Sequence, residues 1–127
     1  MALSSMAQTD RDEIMDVIYQ YMDATEHNKV AVIDEIFHDD FRVMAHTADG
    51  LRVLDKSTYL NLLREKKIGG NARSLDIKSI EIQSNTASAQ IDLVGDKTVF
   101  HDRLQLIQSE GGWKIVHNLT EVSGLNN

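Results

Sequence analysis

Between residues 73 and 122 the chain consists of four long runs of alternating apolar and polar side chains, at 73–84, 86–94, 98–109 and 113–122. Short turn-forming stretches at Asn85, Gly95-Asp96 and Glu110-Gly111-Gly112 separate them. Alternation with a period of two sends one set of side chains to each face of a sheet, and connections this short join antiparallel neighbours. The second half must therefore be a meander of long strands with one apolar face. Whatever precedes it must cover that face.

The preceding residues supply the cover. Residues 1–9 form a short polar leader that is expected to be loosely ordered, after which Thr9 can cap a helix and Asp12, three residues on, resembles a capping box. From 10 to 27, the residues Ile14, Val17, Ile18, Tyr21, Met22 and Thr25 fall on one helical stripe. Asn28 offers a cap for a second, short helix in which Val30, Ile33, Ile36 and Phe37 can face inward, and His38, Asp39 and Asp40 end it. Residues 41–47 and 51–54 read as a small hairpin about Ala48-Asp49-Gly50. A third helix, 55–67, runs through Tyr59, Leu60, Leu62 and Leu63 to a stop at Ile68-Gly69-Gly70-Asn71. The expected architecture is α+β: a roll of antiparallel sheet with three N-terminal helices on one face, forming a single domain over 10–127.

Composition narrows what such a domain does. With 127 residues, 42% hydrophobic and 26% charged, the chain has the makings of one globular core. It contains no cysteine, which excludes disulfides, thiolate nucleophiles and cysteine-ligated metals and is compatible with a reducing cytoplasm. Thirteen Lys and Arg against twenty Asp and Glu give a net charge of -7, so nucleic-acid and anionic-membrane partners are not expected. No run of apolar residues is long enough to span a bilayer, and the N-terminus lacks an export pattern, so a cytoplasmic location is the simplest expectation. His38, His46, His101 and His117 are scattered, with no HExxH pattern, and no metal or cofactor is expected. Asn118-Leu119-Thr120 matches a glycosylation pattern but lies in an expected strand. No phosphate-cradling glycine motif or hydrolase elbow is present.

The strand faces carry the functional signal. In 98–109, Phe100, Leu104 and Leu106 share a parity with Asp102; in 113–122, Trp113, Ile115 and Leu119 share a parity with His117. Each apolar face thus contains one polar intruder. A two-residue loop at Glu110-Gly111 pairs Leu106 with Ile115, Leu104 with His117 and Asp102 with Leu119, making Asp102 and His117 diagonal neighbours. A loop at Gly111-Gly112 keeps the faces but separates the two. A carboxylate and an imidazole on an apolar face must be paired, hydrated or engaged with a ligand, because burying either charge alone is costly. Such a pair can exchange protons near neutral pH.

The segment Phe100-His-Asp-Arg-Leu-Gln-Leu-Ile, followed by Glu110-Gly-Gly-Trp-Lys-Ile-Val-His, resembles the nuclear transport factor two-like superfamily. Within it the chain looks closest to the SnoaL-like and "putative lumazine-binding" branch, which also shows a step like Phe37-His38-Asp39 after the second helix. The resemblance covers about 10–122. It implies a curved sheet wrapped around the first helix into a cone of cystatin-like fold, with a pocket at one end and frequent dimerisation through sheet faces. Members include both enzymes and binding modules. By that resemblance Asp102, His117 and Tyr21 are the candidate catalytic groups, whereas 41–45 offers no Asp to match an isomerase base.

The leading expectation is a domain that binds a small apolar or aromatic molecule. Tyr21, Phe100, Leu104 and Trp113 would supply surface, and Asp102 with His117 orientation. Two alternatives stand beside it. One is a cofactor-free lyase or isomerase of the polyketide cyclase type, in which Asp102 and His117 move a proton and Tyr21 stabilises an oxyanion. The other is an oligomerisation module. Each candidate also has a plainer role: His117 as a hydrogen-bonded structural histidine, Tyr21 as core packing, and Trp113 as a core anchor.

Overall fold

The computed structural model describes residues 2–125, with side chains from residue 8 onward. Three helices, α1 (Ala2–Glu26), α2 (Val30–Ile36) and α3 (Lys56–Arg64), pack on a curved six-stranded sheet. The strands are β1 (Phe37–Thr47), β2 (Gly50–Asp55), β3 (Ser74–Gln83), β4 (Thr86–Val94), β5 (Thr98–Ser109) and β6 (Gly112–Gly124). Ala2, Leu3, Met6, Ala7 and Gln8 are good helix formers, and the backbone is already helical from Ala2, so Thr9 and Asp12 lie inside α1 rather than at its start. Met1, at the tip of the expected leader, lies outside the described residues.

The sheet order is β2-β1-β6-β5-β4-β3. The four C-terminal strands form the expected antiparallel meander, but β1 and β6 run parallel, Met44 lying beside Leu119. No tight turn joins β1 to β6, so nothing forces that pair to be antiparallel. The stripe on α1 lies against the inner face, with Ile14, Ile18 and Tyr21 buried beside Leu93, Leu104, Leu106 and Ile115.

Two local features differ from the sequence reading for identifiable reasons. Asn28 does not cap α2: it takes a positive φ of 51° and its Nδ2 donates to the carbonyls of Leu63 and Ile68, tying the end of α1 to the segment after α3. Asp55, by contrast, caps α3 by accepting from the Thr58 backbone N–H at 2.9 Å.

The second feature decides the site. Leu106 pairs with Ile115, but Gln105 pairs with His117, so Val116 and His117 together oppose one residue of β5. This bulge shifts β6 by one position relative to β5. Before it, Trp113 and Ile115 face inward; after it, Asn118 and Thr120 do. Leu104 is therefore opposite Asn118 and Asp102 opposite Thr120.

Candidate functional site

Beyond the bulge the interior is not filled. A cavity of about 340 Å³ opens between the inner sheet face, α1 and the segment 65–73. Its floor is polar and buried: Tyr21, Asp102, Asn118 and Thr120. Its walls are largely apolar, with Val43, Leu54, Ile68, Phe100 and Val122 among them, and Arg52, Lys67 and Asn71 stand exposed at the mouth.

Each floor residue is placed by a recognisable local cause. Tyr21 comes from the α1 stripe and is held by an aromatic cluster in which Phe37 and Phe41 stack at 3.7 Å and Phe37 lies 6.1 Å from Tyr21 and 5.1 Å from Tyr59. Its hydroxyl donates to Asp102 Oδ2 at 3.1 Å and accepts from Asn118 Nδ2 at 3.4 Å. Asp102 is central on the inner face of β5 and only 2% exposed. Asn118 and Thr120 reach the floor because of the bulge. The segment 65–73 is pinned at its glycines: Gly69, at φ +75°, has no room for a Cβ against the carbonyl of Thr25, and the Gly70 N–H donates to that carbonyl at 2.9 Å. This approach delivers Lys67, Ile68 and Arg73 to the cavity.

Burial holds the Asp102 carboxyl above the usual carboxylate range; Thr120, Tyr21, the positive charge of Arg73 and Asn118 pull the other way. Burial likewise raises the Tyr21 hydroxyl well above its ordinary value, with the Asp102 charge adding to it. Tyr59 is raised by the same two causes in the same order, relieved by Arg73 and the neighbouring Tyr21 hydroxyl. Among the described residues, Asp102 Oδ1, Asn118 Oδ1, Thr120 Oγ1 and Arg73 Nε are buried without a hydrogen-bond partner. A neutral Asp102 can offer a proton from its free oxygen, and Asn118 Oδ1 can accept one. The floor is thus equipped to hold an uncharged polar group.

Of the residues singled out in the sequence, Tyr21, Phe100 and Asp102 meet at this cavity. Leu104 and Trp113 do not: Leu104 belongs to the closed core, and Trp113 is a buried anchor whose Nε1 donates to Asp10 Oδ1 at 3.2 Å. His117 is not the partner of Asp102. The bulge turns it to the opposite face, between Gln105 of β5 and Arg42 of β1, and Leu119, at 42% exposure, is turned outward with it. Strict alternation, on which the Asp102–His117 pairing rested, fails wherever one strand carries an extra residue. Tyr59, Arg73, Asn118 and Thr120 were missed; the signal for the last two was present as polar residues two apart, the spacing of one strand face.

Among the described residues no helix is long and apolar enough to cross a membrane, and no three His, Asp or Glu are grouped as metal ligands.

The three helices and the curved sheet form an NTF2-like, cystatin-like α+β fold. Residues 9–119 match the model of the family described as "Putative lumazine-binding", and the chain belongs to that family. An NTF2-like protein of unknown function from Silicibacter pomeroyi has a similar structure, with 15% identity, 92% of this chain and 98% of that one covered, and a TM-score of 0.82. An NTF2-like protein of unknown function from Shewanella baltica gives 18% identity, 91% and 94% coverage and a TM-score of 0.79. An NTF2-like protein with a cystatin-like fold from Novosphingobium aromaticivorans gives 14%, 95%, 86% and 0.73. No curated protein matches the chain.

Proposed function

We propose that the protein binds a small, largely apolar or aromatic molecule in the cavity between α1 and the inner sheet face. The observation that carries this reading is the combination of apolar walls with a buried polar floor, Asp102 joined to Tyr21 at 3.1 Å, in a space of about 340 Å³. That volume lies at the small end of the roughly 300–1,000 Å³ typical of ligand pockets. Unpaired polar atoms at the end of an apolar cleft favour a ligand that satisfies them, since each left unmade costs about 1–3 kcal/mol. The family description agrees with small-molecule binding in general terms.

The test is a ligand-observed NMR screen of small aromatic compounds against the wild type and against Val122→Trp, which fills the cavity from its wall. Compounds should bind the wild type and be lost from a folded Val122→Trp. A screen without hits, or hits indifferent to the substitution, would overturn the reading.

A second reading is favoured by the raised Asp102 carboxyl beside the Tyr21 hydroxyl: two donors that could stabilise charge on a carbonyl oxygen in a lyase or isomerase reaction. The cavity lining described here holds no imidazole and no second carboxylate, so Asp102 would have to serve as its own proton-transfer group. That is why binding takes precedence.

A homodimer through the outer sheet face belongs to the same proposal. It is supported by Leu51, Val53 and Leu119, exposed at 58%, 55% and 42%, on a face shared with Met44. Light scattering on the wild type and on Leu119→Glu tests it, with a dimer that dissociates as the expected result. The cysteine-free composition fits action in the cytoplasm.

A further inference from the structure

The cavity is charged unlike the rest of the chain. The protein carries a net charge of -7, yet the ionisable lining consists of the cations Arg52, Lys67 and Arg73, one carboxyl, Asp102, and the two tyrosines. These cations come from separate parts of the fold, Arg52 from β2 and the other two from the pinned segment 65–73. Lys67 meets Glu65 at 3.6 Å in an exposed pair; among the described residues no carboxylate lies within ion-pair distance of the guanidinium of Arg52 or Arg73, although Glu26 Oε1 accepts from the Arg73 backbone N–H at 3.1 Å. Arg73 is half-buried and fixed: its Nη2 donates to Thr25 Oγ1, its guanidinium lies 5.3 Å over the Phe100 ring, and its Nε is buried without a partner. A guanidinium held against the apolar wall with its Nε donor unpartnered has a charge-assisted hydrogen bond still to make, and a carboxylate suits it.

The opposite end has a different chemistry. Asn118 Oδ1 and Thr120 Oγ1 are buried, unpartnered and beside the Asp102 carboxyl. An anion there would face the amide oxygen of Asn118, whereas a hydroxyl could donate to that oxygen and accept from Thr120 Oγ1.

We propose that the cavity takes a small organic carboxylate, with its anionic end at the mouth on Arg73, supported by Arg52 and Lys67, and an uncharged hydroxyl at the floor that donates to Asn118 Oδ1 and accepts from Thr120 Oγ1. This rests on the reading of the cavity as a ligand site and adds the class and orientation of the ligand.

The experiment is calorimetric titration with matched probes: benzoate, 2-naphthoate and 6-hydroxy-2-naphthoate, each against its carboxamide. The acids should bind about tenfold or more tightly than the amides, as charge-assisted hydrogen bonds require. The hydroxylated acid should bind better than its parent. Arg73→Gln should bring the acid-to-amide ratio close to one while amide binding persists. Should Arg73→Gln lose the fold, the Arg52→Gln/Lys67→Gln variant, whose changes are at exposed positions, should still reduce the ratio and steepen no salt dependence. Equal affinity for acids and amides in the wild type overturns the carboxylate preference and leaves the cavity reading intact. Binding of no probe, acid or amide, overturns both.

Discussion

The hairpin of β5 and β6 has two halves with opposite character on the same inner face. Near the turn, Leu106, Trp113 and Ile115 are closed into the core, the first and third of them at 1% exposure or less, and Leu104, the first inward residue past the bulge on β5, still belongs to that core. Past the bulge at Val116 and His117, the same two strands present Asp102, Asn118 and Thr120 to a cavity, with three polar atoms unpartnered. One half gains its stability from close packing; the other gives some up by keeping polar groups dry. The difference teaches that in a continuous sheet a single extra residue suffices to end a hydrophobic core and begin a binding floor.

Substitutions that treat the halves alike should expose this contrast most strongly in the closed one. Ile115→Ala, at a position with 0% exposure, should cost about 2–5 kcal/mol in denaturant unfolding. A loss below about 1 kcal/mol would mean that this half can relax around a hole, and the distinction between packed and open halves would break down.

In the open half the sign should reverse. The folded state holds the Asp102 carboxyl above its ordinary range, so it retains a proton that the unfolded chain releases. The stability tied to that proton is fully present below the unfolded value near 3.9 and is lost as pH rises through the raised folded value. Asp102→Asn removes this dependence. It should be at least as stable as the wild type at neutral pH and lose that advantage on acidification toward about pH 4. Unfolding curves across this range that fall equally steeply for both proteins would show that Asp102 is not the buried acid described here.

A smaller effect is expected at Tyr21. Tyr21→Phe keeps the ring in its aromatic cluster and removes the hydroxyl that donates to Asp102 and accepts from Asn118. The loss should be about 0.5–1.5 kcal/mol. It should also shift the pH dependence of stability, because a hydroxyl that favours the ionised form of Asp102 is gone and the carboxyl must titrate higher still. Thermal unfolding as a function of pH measures both.

How much of this was legible in the sequence follows from the same contrast. Apolar periodicity located α1, the meander and the inner parity of β5 because long regular elements with one buried face repeat their signal many times over. Tyr21 and Asp102 were legible for that reason: each stands on a stripe whose other members are plainly inward. His117, Leu104 and Trp113 were misassigned to the cavity because their placement depends on where the hollow begins, which packing decides, and on a bulge that alternation cannot register. Arg73 lies in a connection with no period at all, and its place is set by the close approach of Gly69 to Thr25. No pattern of apolar residues could have brought it to the Phe100 ring.

The smallest effect is the most discriminating. His117 pairs with Gln105 and Arg42 on the outer face, so His117→Ala should change stability by no more than about 0.5 kcal/mol and leave the pH dependence assigned to Asp102 untouched. In a regular hairpin without the bulge the same residue would stand opposite Leu104, on the inner face beside Asp102. Its removal would then strand a buried carboxyl and cost about 3–5 kcal/mol. The two arrangements thus differ by several kcal/mol at one residue. A large loss in His117→Ala would restore the acid–imidazole pair and dissolve the floor made by Asn118 and Thr120; a negligible one fixes β6 in the register that opens the cavity.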